Sequence, residues 1–165
     1  MPLERLVAAI ASRCERIRTG LVVGFGGEDV LSVLRAIRGG EWVDAETPGD
    51  LPFEDAQFDV VVLSGDTVGR DNVREANRVL NSDGYLFFVV QERTGSQQGP
   101  GFTAPEIYKT VREGFDILDV RRSSRWAFWR KDKTIVVCAR KKAWREHRSL
   151  VKEGALPLMP FRSRT

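Results

Sequence analysis

The chain has 165 residues, 42% of them hydrophobic, which is enough for one domain with a proper core. No apolar run reaches the roughly 18–20 residues that span a bilayer, and Met1–Gly20 carries Glu4 and Glu15 among its arginines, so neither a membrane span nor a secretory leader is expected. The net charge of +3 conceals an asymmetry: residues 121–165 hold 14 of the 26 basic residues and 3 of the 23 acidic ones, a net of +11, which leaves −8 for residues 1–120. Cys14 and Cys138 are too few and too far apart for a disulfide framework or a metal site, and they read as buried reduced thiols. A cytoplasmic protein is expected, with an organellar one as the alternative.

Leu3, Leu6, Val7, Ile10 and Ile17 mark an amphipathic helix over Leu3–Ile17, ended by Gly20. Leu21-Val22-Val23 is a short buried strand, and Gly24-Phe25-Gly26-Gly27 is a tight turn whose glycines let the backbone approach a ligand closely. Val30, Leu31, Val33, Leu34 and Ile37 then place an apolar face on a helix from Glu28 to Arg38. Strand, glycine turn and helix make the first unit of a doubly wound sheet. Alternatively, the glycines only turn the chain.

Phe58–Leu63 is a nearly unbroken apolar run, the mark of a strand covered on both faces. Asn72–Leu80 has helical spacing, Asn81-Ser82-Asp83-Gly84 reads as a stop signal, and Tyr85–Val90 is a second buried strand. These close a right-handed βαβ unit. Ser64-Gly65-Asp66-Thr67 follows the first of these strands, where open α/β sheets bind ligands. Asp66 either orients an acceptor or caps the next helix.

Gln91–Gly101 is a polar, glycine-rich loop, read as a substrate lid or as a long surface loop. Thr103, Pro105 and Glu106 open a helix with a capping box that ends near Gly114. Phe115–Arg121 and Thr134–Arg140 read as strands joined by a loop, Ser123–Lys133.

That loop interleaves Trp126, Phe128 and Trp129 with Arg125, Arg130 and Lys131, and the chain beyond the last strand continues with Lys141, Lys142, Trp144 and Arg145. Aromatics among cations suit stacking on bases with phosphate contacts. RNA, a ribonucleoprotein or an acidic protein is the expected partner; packed tryptophans and solvated cations are the alternative. The organisation expected is a domain over 1–142 and a basic extension over 143–165.

LPFEDAQFDVVV, EANRVLNSDGYLFFV and FTAPEIYKTVREGFDILDV resemble class I S-adenosylmethionine-dependent methyltransferases of the small-molecule, type 11-like kind, over roughly Leu21–Lys141. The resemblance implies an α/β fold, a doubly wound Rossmann-like sheet with a closing antiparallel hairpin. It implies S-adenosylmethionine as cofactor, with Gly24, Phe25, Gly26, Gly27, Asp44, Leu51 and Ser64 around it, and a small-molecule methyl acceptor. The chain departs from the family in three places. Val22 stands where an acid usually precedes the glycine turn, Glu28 stands at the third glycine, and the chain is shorter by one βα unit after Arg38. Asp44 then matches either the adenine-side acid before the LPF motif or, with Trp42-Val43-Asp44 as second strand, the ribose-binding acid. The only histidine, His147, lies beyond the sheet, so no histidine general base is expected and methyl transfer would rest on approximation.

Three functions follow. The first is a methyltransferase. The second is a non-catalytic module of that fold binding RNA through Trp126–Arg148. The third is a protein adaptor; the amino-terminal domain of anamorsin-type iron–sulfur assembly factors is similar in lacking a βα unit, although this chain has no cysteine-rich segment of that kind.

Overall fold

The computed structural model describes residues 2–25, 28–46, 49–93, 101–127 and 130–142. In order, these form α1 (Pro2–Arg13), β1 (Thr19–Val23), α2 (Glu28–Arg38), β2 (Glu41–Ala45), β3 (Phe58–Leu63), α3 (Arg70–Val79), β4 (Leu80–Gln91), α4 (Ala104–Val111), β5 (Phe115–Ala127) and β6 (Arg130–Lys141), with one 3-10 turn at Gly65–Thr67. The strands make one sheet in the order β2-β1-β3-β4-β6-β5. The first four run parallel, and β6 and β5 close the sheet antiparallel.

Helices cover both faces, which explains the apolar runs. Leu21, Val61, Leu63, Leu86, Phe88, Val90, Ile135 and Val137 meet α3 and α4, while the alternating Val22, Val60, Val62, Phe87, Val136 and Cys138 meet α1 and α2. A strand buried on both sides has no polar face to alternate with. The doubly wound sheet and its closing hairpin are therefore as the sequence implies. Trp42-Val43-Asp44 lies in an edge strand, and no helix stands between β2 and β3 among the described residues.

Four local expectations need correction. The first helix ends at Arg13, well before Ile17, and Gly20 sits inside β1, not at a helix end. It is glycine because Trp42 covers it: a Cβ there would stand 2.4 Å from the indole ring. Asn81–Gly84 is not a turn but part of β4. The register steps from Phe58 opposite Leu80 to Val60 opposite Tyr85, so the surplus residues bulge out of the ladder. Over its described residues Ser123–Lys133 is not a loop either; Phe128 and Trp129 lie outside them. Its residues pair as Ser124 with Lys133, Arg125 with Asp132, Trp126 with Lys131 and Ala127 with Arg130.

Asp59 ties the amino ends of three strands together. Its carboxylate accepts from the backbone N–H groups of Arg18 (2.8 Å) and Thr19 (3.3 Å) and from Asn81 Nδ2 (2.7 Å). Burial pushes this carboxyl up, but those donors and the Arg18 charge together hold it below the usual carboxylate range. Cys14 and Cys138 are buried free thiols, and burial pushes Cys138 up to about 11. No helix among the described residues is long and apolar enough to cross a membrane.

Phe87 is fully buried in the central strand β4. Phe87→Ala should lower the unfolding free energy by about 3–5 kcal/mol in urea titrations followed by circular dichroism; a loss under ~1 kcal/mol would contradict its placement.

Candidate functional site

The carboxyl ends of β1, β2 and β3 meet at one corner. Gly24 leaves β1 with φ +75°, a backbone that favours glycine, and its N–H donates to the Ala45 carbonyl at the end of β2 (2.9 Å). The Ser64 N–H donates to the Val23 carbonyl (3.0 Å), closing the corner from β3. A Cβ on Gly24 would stand 2.3 Å from Thr67 Cγ2 and 2.7 Å from Ser64 Oγ. Thr67 is itself fixed, its hydroxyl donating to the Ser64 carbonyl (2.8 Å). Gly24 is thus required by conformation and by packing together.

Asp44 lies opposite Val22 in the β1–β2 ladder and is exposed near the end of β2. Val22 is 1% exposed and packs among the α1–α2 core, a place where an unpaired carboxylate would be costly. Phe25 packs half-buried against the same core. Gly26 and Gly27 lie outside the described residues.

Leu51 is buried in the α3–α4 core, held from two sides. Its N–H donates to Glu75 (3.3 Å), and its carbonyl accepts from Arg78 (3.1 Å). Arg78 also donates to the Phe53 carbonyl (2.8 Å), to Asp55 (2.8 Å) and, through two nitrogens, to Glu75 (3.0 and 2.9 Å). Phe53 stands edge-on to Phe58, ring centres 5.1 Å apart. Hydrogen bonding to Glu75 and then Asp55 raises the Arg78 guanidinium above its ordinary value. Arg78 in turn holds the Glu75 carboxyl below the usual range, against burial.

Beside this corner, at the ends of β3 and β4, lies an open cavity of about 470 Å³ lined by Asp66, Gln91, Phe102 and Thr134 among others. Asp66 is exposed at its lip and does not cap α3, whose N-cap is Gly69. The loop after β4 is pinned at its base: the Phe102 N–H donates to the Gln91 carbonyl and the Arg93 N–H to the Phe102 carbonyl, both at 2.9 Å. Thr103 and Glu106 form the expected capping box of α4. Residues 94–100, the heart of the loop read as a lid, lie outside the described residues.

The structure separates the cations that the sequence grouped into one interface. Beyond Glu92, whose N–H donates to the Lys133 carbonyl (2.7 Å), the described residues of β5 and β6 pair only with each other, so Arg125, Trp126, Arg130 and Lys131 stand on a hairpin arm rising past the carboxyl edge. Lys141 and Lys142 lie at the opposite edge, where the Lys142 N–H donates to the Gly114 carbonyl (3.0 Å). The 12 residues of β6 set the two groups about 37 Å apart. Trp129, Trp144 and Arg145 lie outside the described residues.

Thr67 falls in the Ser64–Thr67 stretch that the sequence marks as the ligand end of β3, while Glu75 and Arg78 carry no signal in the sequence as site residues. No group of three or more His, Cys, Asp or Glu side chains among the described residues could hold a metal.

A mostly parallel doubly wound sheet closed by an antiparallel hairpin, with ligand corners at the carboxyl ends, is the fold of the class I S-adenosylmethionine-dependent methyltransferases. Solved structures agree. The Burkholderia thailandensis 1,6-didemethyltoxoflavin-N1-methyltransferase, with 1,6-didemethyltoxoflavin and S-adenosylhomocysteine bound, superposes with a TM-score of 0.69 at 17% identity, covering 86% of this chain and 78% of that one. A SAM-dependent methyltransferase from Aquifex aeolicus gives 0.63 at 13% identity, with 84% and 89% covered. The N-methyltransferase NodS from Bradyrhizobium japonicum, in complex with S-adenosylhomocysteine, gives 0.61 at 14% identity, with 85% and 88% covered. At these identities the likeness is one of fold. No family model matches the chain, and no curated protein matches its sequence.

Arg78→Met keeps the aliphatic stem, removes the guanidinium fork and strands Glu75. It should cost about 1.5–3 kcal/mol at pH 7 in urea unfolding. Because the folded Glu75 carboxyl is lowered from 4.5, its contribution is present above the unfolded value and is lost as pH falls through the folded one. The gap between wild type and variant should therefore narrow below about pH 4.5; a gap constant down to pH 3 would contradict the pairing.

Proposed function

We propose that this protein is an S-adenosylmethionine-dependent methyltransferase acting on a small molecule, with cofactor and acceptor side by side along the carboxyl edge. One observation carries the reading: Gly24, Asp44 and Ser64, from three strands, converge beside an open cavity. The donor set suits the cofactor. The exposed Asp44 carboxylate accepts from the ribose hydroxyls, the Leu51 segment supplies an apolar wall for the adenine, and the bare Gly24 backbone admits the methionine portion. Bound there, the cofactor supplies an electrophilic methyl group on a sulfonium.

The chain's own residues then do three things. The Arg78 clamp fixes the wall that holds the adenine. The corner of Gly24, Ser64 and Thr67 sets the floor between the two ligands. Phe102, Thr134 and Asp66 receive the acceptor, Phe102 by apolar contact and the other two by hydrogen bonding. Rate enhancement comes from holding acceptor and methyl group in line, which can supply several kcal/mol without a general base.

Ligand-induced stabilisation tests this. S-adenosylmethionine or S-adenosylhomocysteine at ~100 times its dissociation constant should stabilise the fold by about 2.7 kcal/mol, visible as a raised melting temperature and as heat in calorimetry. Asp44→Asn, at an exposed position, should leave the unliganded melt unchanged and weaken binding about 10–100-fold, the equivalent of about 1.5–3 kcal/mol. Neither shift nor heat at millimolar cofactor would remove the proposal.

A further inference from the structure

The sheet has a long open edge. β5 ends the strand order, and among the described residues its outer side pairs with nothing. From Asp116 to Ser123 it lies on the part of β6 that also pairs with β4, so this stretch belongs to the full sheet and not to the two-stranded arm beyond it. Free backbone donors and acceptors along such an edge are a template for another strand.

The side chains on that edge are sorted by face. Val120 stands opposite Val137, on the α3–α4 side. It is 44% exposed and, with Tyr108 at 58%, lines an open groove of about 420 Å³ between α4 and β5. Three of the four large apolar side chains exposed among the described residues, Tyr108, Leu118 and Val120, belong to these two elements. Asp119 and Arg121 stand opposite Cys138 and Val136, on the α1–α2 side, where Arg121 donates to Asp119 (2.8 Å).

Charges on an edge normally keep a second strand away. Here they are of opposite sign and symmetrical about Val120. We propose that β5 is a homodimer interface, to which a second copy of this chain adds its own β5 antiparallel about a two-fold axis at Val120. In that register Val120 meets Val120 of the second copy, Asp119 stands opposite Arg121 of the second copy, and Arg121 opposite its Asp119. Residues directly opposite in an antiparallel pair share a face, with Cβ atoms about 4.5–5.5 Å apart. Two ion pairs therefore form between the copies on the α1–α2 side, and on the other side the two valines and the two α4–β5 grooves come together. The charges also select the register. A slip of one residue would turn each side chain to the wrong face. An axis at Asp119 would set two carboxylates against each other, and one at Arg121 two guanidinium groups. A second copy is the occupant because β5 itself supplies the three residues its edge calls for, and a two-fold contact of this kind closes on itself. The interface does not rest on the methyl-transfer reading.

The test is sedimentation velocity of the full chain and its variants, with wild type expected to run as a dimer at micromolar concentrations, up to about 100 µM. Asp119→Arg alone gathers four arginines at the axis, and Arg121→Asp alone gathers four aspartates. Each should weaken dimerisation by about tenfold or more. The double swap, Asp119→Arg with Arg121→Asp, restores opposite charges across the axis and should restore the dimer. Thermal melts taken where wild type is monomeric should match for all three variants, since the edge is open to solvent in the monomer. A wild type that stays monomeric at about 100 µM would overturn the proposal. So would a dimer indifferent to both single substitutions, or one that the double swap fails to recover.

Discussion

The Arg78 guanidinium is the contact that ties the connection between β2 and β3 to α3. The chain must cross from the edge strand β2, over β1, to β3, and it does so without a helix to carry it. A bare crossing of that length has unpaired carbonyls and little apolar surface of its own. Arg78 answers the first need by donating to the Leu51 and Phe53 carbonyls, and Leu51 and Phe53 answer the second by entering the α3–α4 core. A guanidinium suits the task because its donors are planar and fixed, so one side chain serves two carbonyls and two carboxylates at once. A lysine would bring a point charge and could not span the set.

The shortened connection explains the sequence's other departures. With β2 at the sheet edge, Trp42 is left to close the α1–α2 side, which it does by lying across Gly20 and donating to the Gly39 carbonyl (2.9 Å). Val22 beneath it is then wholly enclosed, and a carboxylate there would lose its water without gaining a partner. The carboxylate in this ladder is instead Asp44, which stands one strand outward and is exposed. Asp44 and Val22 occupy paired positions, and exposure alone decides which of them can be charged.

The sheet was legible because burial on two faces writes short apolar runs. Phe58–Leu63, Tyr85–Val90 and the span of α2 read directly, as did the Thr103–Glu106 capping box, a purely local device. The failures were tertiary. Asn81–Gly84 has turn composition, yet it is carried inside β4 as a bulge between Leu80, opposite Phe58, and Tyr85, opposite Val60. Ser123–Lys133 is too polar to read as strand, yet cross-strand pairing sustains it, since a two-stranded arm needs no buried face along its full length. At the ligand corner the sequence indicated Gly24, Asp44 and Ser64. It was silent on Arg78, whose role depends on partners 23 to 27 positions earlier.

Strand direction turns the net charge from a single number into two surfaces. Residues 121–165 look like one basic block in the sequence, but the antiparallel β5–β6 hairpin folds that block back along the sheet. Arg125, Arg130 and Lys131 stand past the carboxyl edge, and Lys141 and Lys142 lie at the amino edge. At about 37 Å the two groups are several Debye lengths apart at physiological salt, so they do not act on a ligand as one field. A single basic patch would have tied one anionic partner to the ligand corner. The observed topology leaves the two edges electrostatically independent.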